Sequence, residues 1–205
     1  MPCEYTRILI GNNQDPLDIL YGSCIMTPYG KEIRMKLSVV DCPHKTKFRP
    51  YVRRATKFFA QKLFTEKMLK NINLKITFVE NLEDYGSASV DNRNDSGKPR
   101  EFTIEINKRM TAVDILKTLA HEMVHIKQYA YCDLNEYLTR WKGTRISEDL
   151  DYYDHPWEIE AHGMEIGLFV KFAKKERLWE IFEGMPNPFQ DIKPQRLGWK
   201  KKVSA

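Results

Sequence analysis

Residues 121–125 read His121-Glu122-Met123-Val124-His125. Side chains four apart on an α-helix point the same way, so both imidazoles can reach one ion. The glutamate between them lies beside that face. A zinc ion held there lowers the pKa of a bound water towards neutrality, and Glu122 can take the proton as the water attacks a carbonyl. The spacing therefore points to a hydrolytic zinc centre, with His121 and His125 as metal ligands and Glu122 as the catalytic general base.

The context supports a helix. Ile115, Leu116, Leu119, Met123 and Ile126 form one apolar stripe, and Ala120 and Val124 widen it. Such a helix is largely buried. Two histidines and a glutamate buried with it need partners, and a metal ion supplies them.

A catalytic zinc takes three protein ligands and keeps one position open. Four of the five histidines fall between 121 and 162. The next ligand-bearing stretch runs from Tyr152 to His162, and its residues leave Glu158, Glu160 and His162 as candidates. Just ahead of them, Tyr152, Tyr153 and His155 offer a donor for a developing oxyanion. They fit equally a packing cluster of aromatic rings with a histidine at the helix entry.

This pair of segments resembles the gluzincin metallopeptidases. In thermolysin-like, HtpX-type and ImmA/IrrE-type families, a glutamate on a second helix completes the metal site. It stands three residues before a small residue, often followed by Asp or Asn. Glu158-Ile159-Glu160-Ala161-His162 is similar. The resemblance implies one catalytic Zn2+, hydrolysis of peptide bonds, Glu158 as third ligand, and His162 as a neighbour of the metal-binding imidazoles. Where those families carry Asp this chain has His162, which keeps His162 open as a ligand itself. The metzincin pattern is not met, because it requires Gly and His where this chain has Gln128 and Tyr131.

The positioning elements follow from periodicity. The runs Arg7–Ile10 and Ile33–Val40 read as strands, and Val52, Ala55, Phe59 and Leu63 mark a helix over about 50–69. Leu74, Ile76 and Phe78 alternate with polar residues, Ala88 and Val90 do so weakly, and Phe102, Ile104 and Ile106 do so clearly. Residues 92–99 read as a turn or loop. Thr111 and Asp114 have capping-box spacing at the start of the metal helix, with Met110 placed to staple onto Ile115. A loop of about 20 residues follows, long enough to suggest a function. Pro156 then opens a second helix, along which Trp157, Ala161, Met164, Leu168 and Phe172 make an apolar stripe. Gly163 and Gly167 on it suggest close approach of a neighbouring helix.

The expected fold class is α+β: a small mixed sheet with an edge strand, packed on a long helix and the HExxH helix, and followed by the third-ligand helix. This order is similar to the zincin fold. The likeness implies a peptide or protein substrate lying along an edge strand, assigned to residues 101–107. One such domain is expected over 1–186, with 1–45 as its β-rich N-terminal extension and 187–205 as a basic extended tail.

The chain has 205 residues, a net charge of +5 and four cysteines without a CxxC pair. No apolar run is long enough to span a bilayer and no secretory signal is visible, which points to a cytoplasmic protein and against a membrane partner. Cys24, Cys42 and His44 match no familiar zinc-finger spacing. Arg53, Arg54, Lys57 and the Lys200–Lys202 tail are basic clusters. They make an SprT-like, nucleic-acid-associated protease an alternative, though not the favoured one. The motif is also compatible with a non-catalytic module built around a structural zinc, and with a metal hydrolase acting on a non-peptide amide. Oligomeric state is not legible in the sequence.

Overall fold

The structure is a computed structural model that describes residues 35–43, 47–94 and 96–182. The Arg7–Ile10 strand, nearly all of the N-terminal extension, Cys24, His44 and the 187–205 tail lie outside these residues.

The described residues form a mixed α+β fold. The strands are β1 (Lys36–Val40), β2 (Asn73–Val79), β3 (Gly86–Arg93) and β4 (Pro99–Asn107). They make one sheet in the order β1-β2-β4-β3. β1, β2 and β4 run parallel, and β3 lies antiparallel to β4. The alternation in β2 and β4 buries one face: Leu74, Ile76 and Phe78 stand in register with Phe102, Ile104 and Ile106, and all six are buried.

The sheet order corrects one expectation. Residues 101–107 are not an edge. β4 pairs with β2 on one side and β3 on the other, so its ladder has no free side for an added strand. The edges are β1 and β3; β3, the weakly alternating run, also extends further towards the turn than 92–99 suggested.

Helix α1 (Arg49–Leu63) carries the connection between β1 and β2 and buries Val52, Ala55, Phe59 and Leu63. It stops earlier than the periodicity predicts. Phe64 is extended, and Thr65 caps a separate short helix, α2 (Glu66–Leu69), by accepting from the Met68 N–H at 3.3 Å. Helix α3 (Ala112–Ala130) starts at the expected cap. Thr111 Oγ1 accepts from the Asp114 N–H at 3.2 Å and donates to Asp114 Oδ2 at 2.7 Å. α3 packs on β3, β4, α1 and α4 (Pro156–Glu176).

The long loop between α3 and α4 is partly ordered by a short hairpin, β5 (Arg140–Trp141) with β6 (Thr144–Arg145). Lys142 and Gly143 at its tip have φ of 47° and 84°, as a type I′ turn requires. An ion pair of 3.1 Å between Glu136 and Arg93 ties this loop to the end of β3. On α4 the stripe Trp157, Ala161, Leu168 and Phe172 is buried as expected. Gly163 and Gly167 are not close-approach points, since nothing lies within 4 Å of a Cβ built on either. No described helix is long and apolar enough to cross a membrane.

Candidate metal centre

α3 and α4 face one another, and the helical period brings His121 and His125 to that interface, with Glu122 beside them against Gly86 of β3. All three are buried, as is Glu158 on the first turn of α4. His121 Nε2 and His125 Nε2 are 3.0 Å apart. Glu158 presents Oε2 at 3.3 Å from the first and Oε1 at 3.5 Å from the second. Two imidazole nitrogens and the two oxygens of one carboxylate thus converge.

The outer nitrogens of both rings are committed elsewhere. His125 Nδ1 lies 2.8 Å from Gln128 Oε1. That oxygen is the amide's acceptor, because Gln128 Nε2 donates to the Trp157 carbonyl at 2.9 Å and to Glu160 at 3.0 Å. His125 Nδ1 must therefore be the donor. His121 Nδ1 donates to Glu165 Oε2 at 3.2 Å. In neutral rings so held, both Nε2 atoms carry lone pairs, which face each other and a carboxylate. One cation between them resolves the repulsion. A proton on His121 serves in the metal-free protein, and a metal ion would take its place. His121, His125 and Glu158 could hold a metal ion.

The electrostatics match this arrangement. Burial lowers the His121 pKa, but its hydrogen bonds to Glu158 and Glu165 and the charges of Glu122 and Glu158 outweigh that and push it up to about 9. Burial raises Glu158, yet the bonds from His121, His125 and Tyr152 hold it well below the usual carboxylate range. Glu122 is raised to about 7: burial lifts it, His125 and His121 pull it back, and Glu158 and Asp84 add to the lift.

The other candidates fall into place. Glu160 turns away from the triad to Lys127 (2.8 Å) and Gln128 (3.0 Å). His162 stacks near His121, ring centroids 4.5 Å apart, and its Nδ1 meets Glu165 at 3.4 Å. Tyr152 is at the site, donating its hydroxyl to Glu158 Oε2 at 2.7 Å. Tyr153 is exposed beside His162. His155 stacks on Trp157 at 4.5 Å, as a helix-entry residue.

Three residues of the site escape the sequence reading. Glu165 supplies the carboxylate behind His121. Gln128, a turn after His125, orients that ring, and its spacing is a signal that the sequence does carry. Gly86, on β3, sits against the site: a Cβ there would lie 2.6 Å from Thr118 Cγ2 and 3.0 Å from Glu122 Oε1. No local sequence signal marks it.

Comparison with protein-family models, with curated proteins and with solved structures finds no match.

Proposed function

We propose that this chain is a zincin-like, zinc-dependent metallopeptidase. The observation that carries the reading is the buried triad beside a buried, raised glutamate. Ligand atoms about 2.0–2.1 Å from a tetrahedral zinc lie roughly 3.3–3.4 Å from one another. The two Nε2 atoms are 3.0 Å apart, and the Glu158 carboxylate stands 3.3 Å from one through Oε2 and 3.5 Å from the other through Oε1. Among the described residues the group has three members rather than four, the pattern of a catalytic rather than a structural zinc.

His121, His125 and Glu158 would hold the ion. When bound, it would supply Lewis acidity and bring the pKa of a coordinated water towards neutrality. Glu122 removes a proton from the attacking water and later delivers it to the nitrogen of the leaving amine. Burial holds the Glu122 carboxyl above the usual carboxylate range in the metal-free chain, and a carboxyl so placed can take a proton and return it. Gln128 and Glu165 fix the two imidazoles, and Tyr152 fixes Glu158. The outer edge of β3 is the place for an extended peptide, because Gly86 brings that strand directly against Glu122.

The test is cleavage of an unstructured protein substrate by zinc-loaded chain, with and without chelator. Glu122→Gln should retain zinc and lose turnover by about 10²–10⁴-fold. Undiminished turnover in that variant would remove Glu122 from the chemistry.

A further inference from the structure

We propose a second, weaker transition-metal site beside the first, formed by His162 and Glu165 of α4 with the outer nitrogen of His121. It goes beyond the peptidase reading and does not depend on turnover.

His162 and Glu165 are three residues apart, so they share a helix face, and His121 approaches that face from α3. Two imidazole nitrogens meet on one carboxylate oxygen: His121 Nδ1 at 3.2 Å and His162 Nδ1 at 3.4 Å from Glu165 Oε2. One ligand atom from each of the three residues lies within 4.8 Å of the others.

The two contacts at Glu165 Oε2 lie close to the roughly 3.3–3.4 Å between ligands of one tetrahedral ion.

Two imidazoles and a carboxylate suit zinc, cobalt or nickel rather than magnesium or calcium. The site is open: the side chains of His162 and Glu165 are 43% and 19% exposed, against 10% and 7% for His121 and Glu158. Solvent can therefore reach it and complete the coordination, and the binding is correspondingly weaker. Ligation through His121 Nδ1 releases the proton that this nitrogen donates to Glu165. The proton passes to solvent, and His121 becomes a bridge when both ions are present.

The experiment is titration of zinc chloride into the metal-free full chain, with bound zinc counted by equilibrium dialysis. The wild type should take up two ions, the second at least about tenfold more weakly. His162→Ala alters a half-exposed side chain, so the fold should survive; it should abolish the weaker ion and keep the tighter one. Glu158→Ala should lose the tighter ion and keep the weaker. Saturation of the wild type at one ion would overturn the proposal, as would persistence of the weaker ion in His162→Ala, which is what adventitious binding by other residues would give. A weaker ion lost in His162→Ala, together with a tighter ion kept in Glu158→Ala, would uphold this site and overturn the triad.

Discussion

With Nδ1 donating to Gln128 at 2.8 Å, His125 can turn only Nε2 towards His121 and Glu158. Partners of this kind set ligand orientation and commonly account for 10- to 100-fold in metal affinity. Gln128→Ala should lower zinc affinity by about that factor and cost about 1–3 kcal/mol of stability, because it strands a buried donor; dialysis and chemical denaturation measure the two. The helical period made His121, Glu122 and His125 legible in the sequence, since residues one turn apart share a direction. It also separates Glu158 from Glu160: two residues is about 200° of rotation, which carries Glu160 round to Lys127. Seven residues is almost two full turns, so Glu165 returns to the side of Glu158. That relation was present in the sequence, but which face met the histidines was settled only by how α4 packs on α3.

At the scale of elements, the site depends on how closely β3 approaches α3. Gly86→Ala would place a Cβ 2.6 Å from Thr118 Cγ2, 3.0 Å from Glu122 Oε1 and 3.2 Å from the Glu105 carbonyl. The carbonyl cannot yield as a flexible side chain can. The substitution should cost about 1–3 kcal/mol and depress turnover by displacing Glu122 while leaving zinc stoichiometry intact. Retained turnover and stability would mean that this contact is not tight. The sheet also shows why the reading of 101–107 as an edge strand fails. Alternation in 101–107 reports that one face is buried, which is true of β4. It carries no information about whether the hydrogen-bonding edges are taken, and both are. β3 alternates weakly because its residues are largely exposed, as an edge strand's can be. The β5–β6 hairpin went unread because its turn is Lys142-Gly143 rather than a more telling Asn-Gly.

For the molecule as a whole, the metal centre ties stability to pH. In the metal-free protein the His121 pKa is about 9, above its ordinary 6.5. Its contribution is therefore fully present below about pH 6.5 and is lost as pH rises through 9. Glu158 is depressed, so its contribution is present above its ordinary 4.5 and is lost as pH falls through its lowered value. The thermal midpoint of metal-free chain should fall from pH 6.5 to 9, by a stability loss on the order of 3 kcal/mol. Zinc-loaded chain should lack this fall, because the metal replaces the proton; identical profiles would argue against exchange at His121. The α+β class was legible because helix and strand periods are properties of short segments. Sheet order and the break after α1 were not, since one is a matter of long-range pairing and the other of Phe64 turning extended.

The most direct test of the metal centre is tightly bound zinc per chain, measured on wild type, Glu158→Ala and Glu160→Ala prepared in parallel. About one tightly held ion is predicted in wild type and in Glu160→Ala, with selective loss in Glu158→Ala. A wild type that neither carries nor takes up such an ion, or a Glu158→Ala variant that holds it as tightly, would contradict that centre.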